Sequence, residues 1–236
     1  FLPLNSIVPQ MNVIDLIFPK KCLGCNEAGK YICTSCINKV PPAKEICPMC
    51  RRFSRGGKTH SNCQTRTGLN GLISLWDYKG VVRKAIISLK YKYATEIAED
   101  LLPYMIKELE KKKHLFAKKT LLLPVPLYWY KQNIRGFNQS GIIGKVVSEY
   151  FSWRFIPDLL IRKKHTKAQV ELKGTERKEN IKGVFEFNSS YQSKIRDNYS
   201  LIIVDDVWTT GSTIKEAAAV LKSRGFGEIW GLTVAS

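Results

Sequence analysis

The sequence lacks a long apolar segment and a recognisable export signal. Every apolar run is shorter than the roughly 20 residues that cross a bilayer, and residues 1–10 have neither a basic start nor a cleavage pattern. These absences predict a cytoplasmic protein, which would reach the inner face of the membrane only through partner proteins. Met11 is a candidate native start, so residues 1–10 are interpreted as an upstream extension or a fusion remnant.

Acidic residues are scarce relative to basic ones. The 236 residues include 38 Lys and Arg but only 20 Asp and Glu, which gives a formal net charge of +18. Such an excess favours a polyanionic partner, whether nucleic acid, an acidic membrane surface or a phosphorylated ligand. The length is sufficient for one α/β domain of moderate size and a small additional module.

Cysteine is absent after Cys63, and all seven cysteines lie between positions 22 and 63. They form three Cys-x-x-Cys pairs and a fourth pair, His60-x-x-Cys63. Each pair can place two donors on one metal ion, and two pairs complete a tetrahedron. Disulfides fit poorly with a chain that carries no export signal, and redox Cys-x-x-Cys motifs usually occur singly. We therefore expect structural zinc.

The eight donors predict two zinc ions. Closed four-donor sites stabilise segments that are too small to have a core of their own. The spacing allows both a sequential and an interleaved pairing of the four motifs. Sequential pairing gives one site from Cys22, Cys25, Cys33 and Cys36 and a second from Cys47, Cys50, His60 and Cys63.

The segment Leu201–Thr213 combines the features of a sugar-phosphate site. Its four leading apolar residues predict a strand that is covered on both faces. Two carboxylates, Asp205 and Asp206, follow, and then the small residues Thr209–Thr213 precede a helix. A helix N-terminus attracts phosphate, and carboxylates accept hydrogen bonds from sugar hydroxyls or help to hold hydrated Mg²⁺. The lysine of a Walker loop is absent, which disfavours a P-loop nucleotidase.

Apolar runs and helical spacings in the rest of the chain predict an α/β domain. Strands are expected over 72–78, 121–125, 159–162, 184–187 and 229–234, and helices over 81–91, 95–109, 141–150 and 214–224. Residues 128–135 are expected to form a loop whose cations and amides, placed ahead of a helix, suit an anion. The alternative for this loop is a basic surface segment whose aromatic rings pack on the body of the protein.

The segment 201–213 resembles the phosphoribosyl pyrophosphate (PRPP) motif of type I phosphoribosyltransferases. The resemblance implies that Asp205 and Asp206 bind the ribose hydroxyls, and that they are the candidate catalytic residues if transfer takes place. It assigns the 5′-phosphate to five residues that follow: Thr209, Thr210, Gly211, Ser212 and Thr213. It also implies that Mg²⁺ binds together with PRPP.

Further motifs narrow the resemblance to the ComF/GntX competence-associated family. They are Pro124-Val125-Pro126, Arg135-Gly136-Phe137-Asn138-Gln139, and Thr166, Gln169, Leu172, Arg177, Asn180 and Phe185 at that family's spacing. The resemblance implies a type I phosphoribosyltransferase fold, with a central mainly parallel sheet and flanking helices, preceded by a zinc-ribbon module. We expect an N-terminal extension over 1–17, the Cys-rich domain over 18–66 and the phosphoribosyltransferase domain over 69–236.

The resemblance also suggests how pyrophosphate is held. In this fold the loop after the first strand binds pyrophosphate, so Arg135 is the expected contact. Many members carry a second arginine where this chain has Asn133, which predicts weaker pyrophosphate binding. The polar segment 162–182 resembles the hood loop that closes over PRPP in this fold.

The family resemblance implies that the chain binds PRPP with Mg²⁺ and handles single-stranded DNA during competence. Aromatic rings lie among cations in 128–131 and 153–155, where they would stack on bases unless they belong to the core. Two alternatives stay open: a phosphoribosyltransferase acting on a small base or another acceptor, and a PRPP-binding regulator without turnover. Expected partners are PRPP or another ribose 5-phosphate ligand, single-stranded DNA and competence-machinery proteins.

Overall fold

The computed structural model describes residues 19–89, 94–117, 119–164, 181–192, 195 and 199–236, without the side chains of Ala94, Lys131, Gln132 and Arg135. Helices α1 to α6 span Thr34–Asn38, Gly80–Ser88, Ala94–Glu110, Trp129–Arg135, Gln139–Tyr150 and Ser212–Lys222. Strands β1 to β7 span Gly71–Trp76, Thr120–Pro124, Arg154–Phe155, Leu160–Arg162, Phe185–Phe187, Ser200–Val207 and Glu228–Ala235. Single 3-10 turns occur at Arg55–Gly57, Ser61–Cys63, Lys113–Leu115 and Ser189–Tyr191.

Among the described residues, the core of the fold is a five-stranded sheet in the order β1-β7-β6-β2-β3, and every neighbouring pair in it is parallel. Strands β4 and β5 form a separate antiparallel pair. The prediction of an α/β protein with a mainly parallel central sheet and flanking helices is confirmed, and the arrangement is consistent with a type I phosphoribosyltransferase fold. The strand order reverses between β2 and β6, and open parallel sheets bind ligands at such a crevice, outside the carboxyl ends of the strands.

Strand β6 is apolar without alternation because both of its faces are buried. Leu201 and Ile203 face the apolar cluster that contains Ile214 and Leu221 of α6. Ile202 and Val204 face the opposite cluster, which contains residues of α2, α3 and α5. A strand covered on both faces reads as a continuous apolar run, as parallel α/β sheets generally do.

The N-terminal Cys-rich segment packs against the body through both polar and apolar contacts. The backbone amide of Tyr31 donates to Oδ2 of Asp100 on α3 at 2.6 Å, and Lys20 forms an ion pair with Glu96 at 2.8 Å. Ile32 and Ile37 are buried in the same apolar cluster as α2 and α3. The hydrogen bond, the ion pair and the apolar contacts fix the Cys-rich segment against helices α2 and α3, which cover one face of the sheet.

The outer edge of β1 carries backbone hydrogen bonds to the Cys-rich segment. The amide of Ala43 donates to the carbonyl of Leu75 at 3.1 Å, and the amide of Thr59 donates to the carbonyl of Asn70 at 2.8 Å. Isolated antiparallel bridges join Pro42 to Trp76 and Lys58 to Gly71. Two separate stretches of the Cys-rich segment therefore lie along this edge strand.

The expectation of a loop over 128–135 is wrong, because Trp129–Arg135 forms helix α4. Gly136, with a φ of 73°, follows the helix in the left-handed conformation, and such a glycine commonly ends a helix. Asn138 then caps α5 by accepting a hydrogen bond from the amide of Ser140. The glycine and the cap residue were the signals in the sequence that two helices meet here.

Smaller differences concern the ends of elements. Strand β6 continues through Val207, which pairs with Ala235 of β7, so Asp205 and Asp206 belong to the strand and do not follow it. Strand β3 has only two residues and was not predicted. No helix among the described residues has the length and apolar character needed to cross a membrane.

Candidate functional site

Strand β6 carries Asp205 and Asp206 to the crevice where the strand order reverses. Pairing between β2 and β6 ends at Pro124 and Val204, so the two acids extend past the end of β2. Asp205 pairs with Thr233 of β7 on the other side, and both carboxylates are half-buried. Two acids at the carboxyl edge of a parallel sheet lie where ligands of such folds bind.

The loop between β6 and α6 is compact because an aromatic ring packs on its glycine. Gly211 adopts a φ of 73°, and a Cβ at this position would lie 2.2 Å from Cη2 of Trp208. Trp208 is buried, and its Nε1 has no hydrogen-bond partner among the described residues. Only glycine fits here, since it tolerates both the positive φ and the contact with the ring.

Small hydroxylic residues lead into helix α6. The hydroxyls of Thr210 and Ser212 lie 2.9 Å apart, and the amide of Ser212 donates to Oγ1 of Thr210 at 3.4 Å. Thr209 is exposed and Thr213 is half-buried. The first amides of an α-helix have no partner within the helix, and their dipole favours a phosphate at this end.

The start of α5 reaches Asp205 from the neighbouring strand. Asn138 donates through Nδ2 to the carbonyl of Val125, which follows β2, at 3.0 Å, and its Oδ1 accepts from the amide of Ser140. Ser140 then donates its hydroxyl to Oδ1 of Asp205 at 3.3 Å. Gln139 beside it is buried, and its Nε2 has no hydrogen-bond partner among the described residues. The Arg-Gly-Phe-Asn-Gln motif thus positions a hydroxyl on the acid pair.

Arg162, at the end of β4, lies close enough to Asp205 for their charges to interact. Burial lowers the pKa of Arg162 below its usual value, and the negative charge of Asp205 offsets this effect only in part. Its guanidinium also lies 5.7 Å from the centre of the Phe185 ring, on the paired strand β5. Arginine stays protonated in proteins, so Arg162 is a cation whose charge interacts with that of Asp205.

Two groups of four donors occur in the Cys-rich segment, and the structure brings the residues together in sequential order. The donor atoms in each group lie within 4.8 Å of one another: Cys22, Cys25, Cys33 and Cys36 in the first, and Cys47, Cys50, His60 and Cys63 in the second. Sulfurs on one tetrahedral zinc ion, with Zn–S bonds of about 2.3 Å, lie roughly 3.8 Å apart. The Cys22–Cys33 and Cys25–Cys33 sulfur distances are 3.6 and 3.7 Å, so both groups fit structural zinc.

The thiols within each group of four differ in their pKa values. This difference is expected where one thiol of the group carries a negative charge and its neighbours keep their protons. Burial raises the pKa of Cys22, but hydrogen bonds from nearby backbone amides outweigh this effect and lower the pKa to about 6. Burial and the neighbouring thiols raise the pKa of Cys36 to about 12. In the second group the corresponding values are about 7 for Cys47 and about 11 for Cys63. A divalent cation replaces the shared protons in such a cluster.

Comparison of the sequence with known proteins agrees with the two groups of metal donors. The family model described as a double zinc ribbon domain matches residues 13–64. The DNA utilization protein YhgH of Escherichia coli O6:H1 is 30% identical over 214 residues, which cover 84% of this chain and 88% of the relative. The chain belongs to the ComF/GntX family.

Two other relatives carry competence names. Competence protein F of Haemophilus influenzae is 35% identical over 125 residues, which cover 52% of this chain and 53% of the relative. Competence protein ComFC of Bacillus subtilis is 25% identical over 210 residues, which cover 84% of this chain and 81% of the relative. The resemblance to the ComF/GntX family is therefore confirmed over most of the chain.

Apart from the metal donors, the predicted residues of this ComF/GntX protein fall into two sets, one outside the described residues and one at the edge of the sheet. The side chain of Arg135 is outside the described residues, as are Thr166, Gln169, Leu172, Arg177 and Asn180, and most of the segment 162–182 that resembles a hood loop. The structure places Asp205, Asp206 and the residues 209–213 at one edge of the sheet.

The sequence did not indicate three further residues at the site of this family member. Ser140 adjoins the Arg-Gly-Phe-Asn-Gln motif but lies 65 positions from Asp205. Arg162 stood at the border of a predicted strand and a polar segment, with nothing to mark it. Arg51 follows a Cys-x-x-Cys pair, and its guanidinium Nη2 donates to the carbonyl of Thr209 at 3.1 Å. Only the folded chain brings these residues together.

Proposed function

We propose that this protein binds PRPP with Mg²⁺ at the carboxyl edge of its central sheet and takes part in handling single-stranded DNA during competence. The observation that carries the proposal is the arrangement at the β2–β6 crevice. There the acid pair of β6 leads through a tight glycine-containing loop into the N-terminus of α6. Ser140 donates a hydrogen bond to Asp205, and the charge of Arg162 interacts with that of Asp205.

Each part of this arrangement suits one part of the ligand. Asp205 and Asp206 would accept hydrogen bonds from the ribose hydroxyls and hold waters on Mg²⁺. The hydroxyls and amides of 209–213 would donate to the 5′-phosphate. Arg135 is proposed as the pyrophosphate contact. If transfer takes place, positioning and charge neutralisation would account for most of the catalysis, with Asp205 and Asp206 as the acting acids.

The zinc groups are proposed to be structural. Their eight donors are cysteine sulfurs and one imidazole, a set that favours zinc, and each group offers four donors and thus a closed tetrahedron. Zinc would fix a segment of about fifty residues that is too small to supply a full core of its own. In this proposal the Cys-rich segment spans 18–66 and the PRPP-binding domain spans 69–236.

A DNA role is supported by the names of the relatives, by charge and by one exposed surface. The printed names of the relatives are DNA utilization protein and competence protein, and the chain has a net charge of +18. On helix α4, Trp129, Tyr130 and Ile134 are 60%, 51% and 68% exposed. Exposed rings among cations are a platform on which the bases of a single strand stack.

The second predicted aromatic cluster does not add to this surface. Trp153 stacks on Phe151, with ring centres 4.7 Å apart, and meets Phe116 edge-on at 4.8 Å. Trp153 and Phe155 are partly buried and pack against the core. Their role is packing, and helix α4 is the surface that we propose for bases.

The test is calorimetric titration of the purified zinc-containing protein with Mg·PRPP, followed by titration of labelled single-stranded DNA at several salt concentrations. We expect saturable PRPP binding, and DNA binding that weakens steeply as salt rises, because phosphate contacts release counterions. Absence of PRPP binding would overturn the ligand assignment. DNA binding that is absent at low salt would overturn the DNA role.

A further inference from the structure

The second metal group and the proposed phosphate loop are joined by one hydrogen bond across 158 positions of sequence. Arg51 directly follows Cys50, and its Nη2 donates to the carbonyl oxygen of Thr209 at 3.1 Å. Thr209 is the first of the five residues proposed for the 5′-phosphate. The sequence suggests only a structural role for the Cys-rich segment. This segment nevertheless contacts the proposed phosphate loop directly.

The turn that carries Arg51 is held by the backbone of the metal group itself. Arg51 has a φ of 65°, a left-handed conformation that is uncommon for residues other than glycine. Its amide donates to the carbonyl of Cys47 at 2.9 Å, and the amide of Cys47 donates to the carbonyl of Arg52 at 2.9 Å. A conformation of this kind persists where the surroundings determine it, and here the surroundings are the backbone of a Cys-x-x-Cys pair.

His60 ties the other side of the same turn to the metal donors. Its Nδ1 lies 3.4 Å from the sulfur of Cys50, and its Nε2 lies 3.0 Å from the carbonyl oxygen of Phe53. When Nδ1 binds a metal, Nε2 carries the proton and donates to that carbonyl, as ligating histidines usually do. Ile46 and Phe53 also form an isolated bridge across the turn. A continuous series of contacts thus runs from the metal donors Cys50 and His60 through the turn that carries Arg51 to Thr209.

We propose that Arg51 is a positioning residue through which the second metal group holds the phosphate loop in its binding conformation. With the turn fixed, the guanidinium holds the carbonyl of Thr209 in place, and the amides that follow it keep their direction towards the phosphate. Arg51 also places a positive charge beside the loop, which favours an anionic ligand. This inference rests on the proposed binding of PRPP.

The substitution Arg51→Ala tests the proposal, and Arg52→Ala is its matched control. Both arginines are exposed and adjacent, so each variant loses the same charge, but only Arg51 contacts Thr209. By calorimetry with Mg·PRPP, we expect Arg51→Ala to bind about tenfold more weakly, within the usual range of coupling between sites. We expect Arg52→Ala to bind within about twofold of the unaltered protein, and we expect Arg51→Lys, which retains a cationic donor, to recover part of the loss.

His60→Cys examines the same path from the metal side. This variant keeps four donors in the second group but removes the imidazole that donates to Phe53. We expect its zinc content to equal that of the unaltered protein and its affinity for Mg·PRPP to fall severalfold. Zinc content, measured by a chromogenic chelator after denaturation, distinguishes loss of the turn from loss of the metal.

The outcomes separate this inference from the proposed function. If the unaltered protein does not bind Mg·PRPP, the proposed function fails and the inference fails with it. If the unaltered protein binds and Arg51→Ala binds equally well, the function stands and the role of Arg51 is overturned. Equal weakening in Arg51→Ala and Arg52→Ala would also overturn that role, because it would reflect general charge and not the contact with Thr209.

Discussion

The indole ring of Trp208 lies against Gly211, so closely that a Cβ on residue 211 would be 2.2 Å from the ring. The pair forms the tight end of strand β6 and sets where helix α6 begins, at Ser212. A ring buried beneath a glycine leaves the loop little freedom, and the loop residues proposed for the 5′-phosphate are placed by this contact.

Gly211→Ala is therefore expected to destabilise the protein and to abolish PRPP binding. The new Cβ meets the ring, and the φ of 73° is strained for alanine, so we expect a loss of about 1–3 kcal/mol in the free energy of unfolding. Denaturant unfolding measures the change. Gly227→Ala is the control, since a Cβ there meets no atom within 4 Å and the residue is not among those with positive φ. Equal stability of the two variants would contradict the proposed constraint.

Asp206→Asn is expected to weaken Mg·PRPP binding at least tenfold, about 1.4 kcal/mol. An amide has no negative charge to attract Mg²⁺, and it has one acceptor oxygen for the ribose hydroxyls where a carboxylate has two. Asn has nearly the same volume as Asp, and position 206 is only half-buried, so the melting temperature should change little. Calorimetry and thermal unfolding measure the two effects. Glu149→Gln, on the exposed end of α5, is the control for loss of one acid. Unchanged affinity in Asp206→Asn would count against the assigned role.

Cys22→Ser is expected to lose the zinc of the first group and to retain that of the second, because the two groups share no donor. The thermal stability of the Cys-rich segment should fall, since Cys22 is buried and its sulfur is within 3.6 Å of that of Cys33. Metal analysis and thermal unfolding give the result. Glu27→Gln, beside Cys25 but outside the donor set, should keep both ions. Full zinc content in Cys22→Ser would refute the ligand assignment.

Glu45 is expected to contribute to stability at neutral pH and to lose this contribution in acid. The hydrogen bond from Lys112 at 2.7 Å, with a further one from the amide of Gly56, holds the pKa of Glu45 below its usual value. A carboxyl whose pKa is lowered by folding stabilises the protein above its unfolded pKa, and the effect disappears as pH falls through the folded pKa.

The measurement is the free energy of unfolding of Glu45→Gln against pH. We expect the variant to be less stable than the unaltered protein at pH 7. The difference should begin to shrink near pH 4, about the ordinary pKa of a glutamate, and should vanish only below the lowered pKa of the folded protein. Glu149→Gln serves as the control, because both side chains of its i,i+4 pair with Lys145 are largely exposed and such pairs contribute little. A difference that does not depend on pH would exclude an ionic role for Glu45.

Replacing Trp129 and Tyr130 together with alanine is expected to weaken single-stranded DNA binding without changing stability. Stacking on an aromatic ring contributes about 1–3 kcal/mol per base, and both rings are largely exposed. Fluorescence anisotropy with a labelled oligonucleotide at fixed salt measures the loss. Tyr150→Ala removes an aromatic ring that is 56% exposed at the end of α5, and it should bind DNA normally. An equal loss of DNA affinity in both variants would contradict the proposal that α4 is the surface on which bases stack.

The local features of this chain were predictable because they depend on neighbouring residues. The apolar run before Asp205 indicated a doubly covered strand, and the small residues after it indicated a loop and a helix start. The acids nevertheless belong to β6, since their strand conformation depends on pairing with β7, as between Asp205 and Thr233. A pairing partner nearly thirty positions away has no local signature.

Contacts between distant residues account for what the sequence could not show. The spacing of the Cys-x-x-Cys motifs was compatible with sequential and interleaved grouping, and only the distances between donor atoms bring the sets together in sequential order. Ser140, Arg162 and Arg51 join the site from three separate elements. None of them carries a local pattern that distinguishes it from an ordinary surface residue.

The hydrogen bonds along the outer edge of β1 have a consequence for how the chain behaves without metal. An uncovered edge strand is a template on which other chains add strands and aggregate. Here Ala43 and Thr59 occupy that edge. The second metal group is close to both in the sequence, because Cys47 and Cys50 lie between them and His60 and Cys63 follow Thr59. Chelation would release the covering segments and expose the edge of a parallel sheet, so zinc would protect this protein from self-association as well as shaping its N-terminal segment.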